Sequence, residues 1–353
     1  MSCEQTDPQE QPQTREAPLV SIVTIFYNRA DHVRASIQSL LDQNYSNLEI
    51  LALDDGSSDD TLEALRSFSD SRYRVIGKAN SGFTTSLNFA ISRTKGDYVA
   101  IHDAGDISLP DRISKQAEAL SADPGVGLVG CWVEQESIYG GDSKILTRRQ
   151  GESLKEIILN RNTFTHGEVM FRRSIYEEAG GYRPFFYFAQ DRDLWIRMSR
   201  LTRHAIVPEV LYKQKVFDGG VSTTPDKRLM QAYLSDFAVQ CGRSVDGHGR
   251  DLLDRYGDFA PFFRRRSPAL ARKLVGIAIR WMVLDLEQSR RFVEAAHAEY
   301  PSPRTYAARV IVALADLPGL SGGVRKLMTN LVSCREWLRR RDNARLSAGL
   351  GPT

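Results

Sequence analysis

Apolar and polar positions follow two regimes along this chain. Up to about residue 235, short unbroken apolar runs alternate with helical stripes; beyond it, only helical stripes remain. "LVSIVTIFY" (19–27) is rich in β-branched residues and has no polar alternation, the mark of a strand covered on both faces. From Ala30, apolar residues recur at Val33, Ile37, Leu40 and Leu41, which predicts a helix. "LEILALDD" predicts a second strand, "SSDDTLEALRSF" a helix capped by Ser58 or Asp59, and "YRVIG" a third strand. Phe83, Leu87, Ala90 and Ile91 then fall at helical spacing, and "DYVAIHD" reads as a fourth strand. Strand–helix–strand units of this length require right-handed crossovers, hence parallel strands. The predicted class is α/β, a mostly parallel sheet flanked by helices, with an all-helical appendage at the C-terminus.

Three segments follow from the same pattern. Residues 1–18, rich in Gln, Glu and Pro, have almost nothing to bury and are expected to be a disordered tail. Residues 19–235 form the α/β domain and residues 236–353 a helical one. In the latter, Leu270, Leu274, Ile277, Trp281 and Leu284 make one stripe, and "PRTYAARVIVALADL" and "GGVRKLMTNLVSCREWLRRR" predict two more helices.

Composition narrows the class. A hydrophobic share of 42% with 26% charged residues suits a soluble globular chain with a sizeable core. Cys3, Cys131, Cys241 and Cys334 have no paired spacing, so neither a disulfide frame nor a zinc site is indicated, and a reduced cytosolic setting is expected. The apolar run from Leu274 is broken by Arg280 and is too short to cross a bilayer. The net charge of +3 hides an asymmetry: residues 236–353 carry 20 Lys and Arg against 12 Asp and Glu, leaving 27 against 32 in residues 1–235.

The polar residues just after three strands supply the candidate chemistry. "FYNR", "DDGSSDDT" and "HDAGD" would share one rim, and open parallel sheets bind ligands at the carboxyl ends of their strands. Asp, Asn and Gly are also ordinary turn residues, so each cluster alone is weak evidence. Three on successive strand ends favour a site. No G-x-G-x-x-G follows the first strand and no G-x-x-x-x-G-K-[ST] occurs, which sets aside the glycine-loop nucleotide folds. Carboxylates facing phosphate call for an intervening divalent cation, and oxygen ligands suit Mg2+ or Mn2+.

These pieces resemble the inverting nucleotide-sugar glycosyltransferases of family 2, with the GT-A Rossmann-like fold. The resemblance rests on "VSIVTIFYNRADHVRASIQSLLDQNYSNLEILALDDGSSDDT", "NSGFTTSLNFAISRTKGDYVAIHDAGDISLPDR", "HGEVMFRRSIYEEAGGYRPFF" and "AQDRDLWIRMSR", covering roughly residues 19–216. It implies that Ile25 and Tyr27 line the base pocket. Asp55, with Asp54 beside it, would accept from the nucleobase imide, which favours a UDP- or dTDP-linked donor. Asp103 would lie beside ribose and diphosphate. The family's D-x-D element maps onto Asp103 and Asp106 as ligands for Mn2+ or Mg2+, with Gly105 standing where many relatives, reading D-[AS]-D-D, carry the middle acid. Asp191 matches the family's catalytic base, which takes a proton from the acceptor hydroxyl as it attacks the anomeric carbon. Gln190 before it lessens like-charge elevation of that base. His166, and Trp195 one helical turn beyond Asp191, would border donor and acceptor. Gly180–Tyr182 would form a tight loop over the acceptor, and "QKVFDGGVST" a lid.

The expected enzyme is a glycosyltransferase of EC class 2.4, acting on a glycan or lipid-diphosphate acceptor in surface polysaccharide synthesis, in the cytoplasm or at the inner face of the membrane. The alternative is a non-catalytic or metal-independent binding protein on a degenerate GT-A domain, the reading Gly105 favours. A nucleotide-sugar pyrophosphorylase would need a glycine-rich loop with Arg and Lys after the first strand, and "FYNRADH" does not supply it. The basic appendage leaves three readings open: a solvated face, a homo-oligomer contact, or contact of its helices with an anionic membrane. No nucleic-acid motif accompanies its arginines.

Overall fold

A computed structural model of the protein describes residues 17–136, 143–147, 159, 164–217 and 223–317. Residues 1–16 of the N-terminal tail, half of the lid sequence (218–222) and the last predicted helix fall outside these residues.

Among the described residues, nine strands form one mixed sheet in the order β3-β2-β1-β4-β8-β6-β9-β5, with β7 (Lys144–Leu146) on β6. β1 (Val20–Phe26), β2 (Leu48–Asp54), β3 (Tyr73–Gly77) and β4 (Tyr98–Asp103) are parallel, as the crossover pattern predicts. Every residue of β1 is buried, because helices cover both of its faces. The register sets Phe26 beside Asp54 and Ile25 beside Asp103, so the polar segments after β1, β2 and β4 share one rim.

α1 (Ala30–Leu41) buries Val33, Ile37 and Leu40, as its spacing predicts. α2 (Thr61–Arg66) begins later than the sequence suggests: neither Ser58 nor Asp59 is its N-cap, although Asp59 accepts from the Thr61 amide at 3.1 Å. α3 (Phe83–Ser92) and α4 (Arg112–Ala122) complete this half. The second half is antiparallel where it joins: β8 (Met170–Arg172) runs against both β4 and β6 (Val126–Gln135), while β6 pairs in parallel with β9 (Arg203–Gln214). β5 (Ile107–Ser108) edges β9. His166–Glu168 is a 3-10 turn, held by the Thr165 amide donating to Glu168 Oε1 at 2.9 Å.

α5 (Arg173–Glu178) and α6 (Gln190–Met198) lead to α7 (Pro225–Arg243), a helix that runs through the expected boundary at 235/236. Leu234, Phe237, Val239, Leu252 and Ala260 pack into the α/β core, so that core extends past residue 235. The helical unit is built instead by α9 (Pro268–Leu284), α10 (Leu286–Glu299) and α11 (Pro303–Leu314), around Leu274, Phe292 and Val312. Asp285 divides α9 from α10, its carboxylate accepting from the Gln288 amide at 3.1 Å. Leu284, placed on the buried stripe by spacing, lies at that break and is exposed. Between α7 and α9 sits α8 (Leu252–Tyr256) with a 3-10 turn, Gly257–Phe263.

Candidate active site

The first wall of the rim is stitched from the β1 and β2 ends. Asn28 adopts φ +50, a conformation Asn tolerates better than most residues. Its Oδ1 accepts from the Ser58 amide at 2.8 Å, and its own N–H donates to Ser57 Oγ at 2.9 Å. Asp54 is turned to this loop, accepting from the Ser57 amide at 3.1 Å and from the Ser57 hydroxyl. Asp55 is the binding-type carboxylate: its side chain is 3% exposed and its Oδ1 accepts the Lys78 ammonium and the Ser81 amide, the latter at 3.0 Å. Tyr27 stands exposed on the rim, whereas the Ile25 side chain lies in the core and only its backbone reaches the edge.

The second wall is "HDAGD". Asp103 remains 30% exposed and accepts from His166 Nδ1 at 2.7 Å, while His166 Nε2 meets the Tyr182 hydroxyl at 2.9 Å. Burial alone would push the His166 pKa down, but the Asp103 carboxylate, with help from Asp191, holds it above the ordinary histidine range. Burial would likewise raise Asp103, and His166 overcomes it to hold the carboxyl below its usual value. The turn carrying His166 is clamped by buried Arg112, which donates to the Gly167 carbonyl at 2.5 Å and to the Ile101 carbonyl at 2.9 Å. Gly167 allows the close approach: a Cβ there would lie 2.0 Å from the Tyr212 hydroxyl.

Asp106 faces inward. It is 2% exposed; Tyr212 OH donates to one oxygen at 2.8 Å and the Lys215 amide to the other at 2.9 Å. Burial, then the charge of Asp103, raises its pKa well above the carboxylate range. Gly105 has φ +94, and a Cβ on it would lie 2.5 Å from Phe217 Cζ and 3.2 Å from His32 Cβ. Phe217 is wedged there, its ring 4.4 Å from His32 and the Arg29 guanidinium 4.9 Å above it. The donor set expected from Asp103 and Asp106 therefore does not fit a protein-held divalent ion. One carboxyl is sealed against Tyr212 and Lys215, the middle position is closed to a side chain, and Asp103 alone remains, already bonded to His166. The Arg29 guanidinium lies over the Phe217 ring that fills this space.

Asp191 lies in the first turn of α6, half-buried. The helix starts after Ala189, whose φ of +60 marks a tight entry. Asp193, two residues further in, fixes the helix: it accepts from Arg183, and from Arg197 at 2.8 Å. Arg183 also reaches Asp251 at 2.9 Å. The preceding loop hangs on Asn88 of α3, which donates to the Tyr182 carbonyl at 2.7 Å and accepts from the Tyr182 amide at 3.1 Å. The charge of Asp191 acts on both His166 and Tyr182, so it lies in electrostatic reach of the Asp103–His166–Tyr182 chain.

The structure thus brings Asp55, Asp103 and His166 to one rim, with Asp191 in electrostatic reach of His166. It does not bring Trp195 there: this side chain is fully buried, its ring 5.9 Å from Phe171. Gly180 and Gly181 both have positive φ and end α5, as a tight loop requires. Sequence reasoning missed Lys78, Tyr212 and Arg112, and took Tyr182 and Phe217 only as loop and lid positions. Of the three missed, only Lys78 left a signal, a lone cation at the end of the third strand.

Comparison with known proteins agrees with this architecture. The family described as glycosyl transferase family 2 matches residues 21–180. A Haemophilus influenzae protein described as an uncharacterized glycosyltransferase is 32% identical over 219 residues, 58% of this chain and 68% of that one. The putative glycosyltransferase EpsE of Bacillus subtilis is 32% identical over 205 residues, 56% of this chain and 72% of its own. Among solved structures, the mannosyltransferase PcManGT of Pyrobaculum calidifontis, in complex with GDP-Man and Mn2+, superposes with a TM-score of 0.51 at 18% identity, covering 92% of this chain and 88% of that one. S. aureus TarS 1-349 in complex with UDP-GlcNAc gives a TM-score of 0.51 at 14% identity, covering 84% and 91%. The shared fold is GT-A.

Proposed function

We propose that this chain, which belongs to glycosyltransferase family 2, transfers a sugar with inversion from a uridine or thymidine diphosphate donor to a hydroxyl of a glycan or lipid-linked acceptor. The observation that carries the reading is that Asp55 follows β2 and Asp103 ends β4 on one rim, with the charge of Asp191 at the start of α6 reaching the His166 that Asp103 holds. Asp55 accepts from an N–H of the base, such as the imide of uracil or thymine. Asp103, oriented by His166, faces the ribose and diphosphate. Asp191 removes the proton of the acceptor hydroxyl. The acceptor oxygen then bonds to the anomeric carbon from the face opposite the nucleotide, and the C–O bond to the diphosphate breaks. The electron pair leaves with the nucleoside diphosphate. One base suffices, in contrast to the paired carboxylates of glycosidases.

A divalent ion has no step here, because the donor set does not fit one. Arg29 supports the alternative that the leaving diphosphate is met by a protein cation, a role for which a guanidinium is suited. Synthesis of a surface polysaccharide suits such a transfer. The test is a panel of UDP-, dTDP- and GDP-sugars scored for nucleoside diphosphate release, with UDP affinity measured by calorimetry in parallel, each in Mn2+ and in EDTA. Turnover on a uridine or thymidine donor, with UDP affinity unchanged by EDTA, is expected. Preference for a guanosine donor contradicts the uridine or thymidine assignment, and loss of UDP binding in EDTA contradicts the role of Arg29.

A further inference from the structure

The aromatic turn between α8 and α9 is the least expected surface of the molecule. Phe259, Phe262 and Phe263 are 70%, 85% and 48% exposed, and Tyr256 joins them. They are neither frayed nor displaced core. Ala260, in the middle of the same turn, is fully buried in the α/β core and fastens it from below. The Asp251–Asp254 capping box fixes its start. Gln240 of α7 fixes its end, accepting from the Arg265 amide at 2.8 Å and donating to the Arg265 carbonyl at 2.9 Å. Tyr256 and Phe263 stack at 3.7 Å, while Phe259 and Phe262 form a second pair at 6.5 Å. A rigid turn therefore holds four rings in water, and large exposed apolar patches mark contact surfaces.

The charges around the rings identify the contact. Arg265, Arg266 and Arg272 are exposed beside them, and Arg255 lies 5.4 Å over the Tyr256 ring. Arg264 is committed to Glu299 and is not part of this rim. Asp258 is the one acid within the turn itself. Aromatic rings at the tip with arginines at the flank match the interface of a bilayer, where rings enter the headgroup boundary and guanidinium groups meet anionic headgroups. We propose that the Tyr256–Arg266 turn docks this protein on an anionic phospholipid surface. The turn is tied to the candidate base: Arg183 bonds both Asp251, which caps α8, and Asp193 of α6, two residues from Asp191. A docked molecule would hold α6 at a fixed height above the membrane. This surface is separate from the donor site, so its failure and that of the proposed transferase activity are told apart by whether UDP binding persists.

The experiment uses the full chain with vesicles of phosphatidylglycerol and phosphatidylcholine, and with phosphatidylcholine alone. Sedimentation with the anionic vesicles is expected. Phe259→Ser/Phe262→Ser should weaken it by about tenfold or more, and Arg265→Ser/Arg266→Ser should remove the preference for anionic lipid. Both pairs should keep the thermal midpoint and UDP affinity, since these side chains are exposed. A Phe262→Trp probe should shift its emission to the blue on the anionic vesicles. The proposal is overturned if Phe259→Ser/Phe262→Ser sediments like the parent chain, or if the Trp probe is silent. It is equally overturned if sedimentation velocity shows that the patch closes a dimer which the serine pair dissolves.

Discussion

Gly105→Ala tests the reading of the altered acidic cluster without touching any proposed catalytic group. A residue with a Cβ at φ +94 carries a backbone penalty of about 1–2 kcal/mol. The new methyl would also lie 2.5 Å from Phe217 Cζ, so the ring must leave. Leaving forfeits its contacts with His32 at 4.4 Å and the Arg29 guanidinium at 4.9 Å, together about 1–2 kcal/mol. Gly105→Ala should therefore cost about 2–4 kcal/mol in urea unfolding followed by circular dichroism. In a Phe217→Ala background the clash is gone and only the backbone penalty remains. The same substitution should then cost about 1–2 kcal/mol, and the double-mutant cycle should show coupling of that size. Additive effects, or a Gly105→Ala cost below about 0.5 kcal/mol, would refute the wedge. The same geometry predicts that Gly105→Asp does not create Mn2+ binding, since the carboxylate has no room beneath Phe217.

Two further outcomes check the walls of the site. Asp55→Ala should weaken UDP binding by roughly 1–3 kcal/mol in calorimetry, because it leaves buried donors unpaired; unchanged affinity would place the base pocket elsewhere. His166, raised by Asp103, should titrate by NMR above the ordinary histidine value of 6.5, and lower than in the parent in Asp103→Asn, where only Asp191 still opposes burial. With a raised histidine and a depressed carboxyl, the pair's stabilisation is full only between their unfolded values of 3.8 and 6.5. It fades as pH rises through the folded value of His166, or falls through that of Asp103. A flat stability profile across pH 6 to 8 would deny the pairing.

The parallel half of the fold was legible because it is written in local periodicity. β1 to β4 and α1 to α3 each carry their signal within about a dozen residues, and the rim follows from strand ends alone. The antiparallel half was not, because β8 and β9 take their places through partners distant in sequence. The same limit hid the inner face of the site. Nothing local shows that Tyr212 seals Asp106, that Phe217 fills the space above Gly105, or that Arg112 clamps the His166 turn, since all three contacts bridge more than fifty residues. Trp195 was misplaced for a related reason: helical spacing puts it near Asp191, but tertiary packing turns it into the core.

The most direct measurement of the central claim is sugar transfer and UDP affinity in Asp191→Asn, side by side. Asparagine keeps the size of the side chain and its place at the start of α6, but cannot take the acceptor proton. The account predicts that transfer is abolished while UDP affinity stays at the parent value, because the base serves the acceptor and not the nucleotide. Transfer within about tenfold of the parent, a barrier change of only about 1.4 kcal/mol, would contradict it.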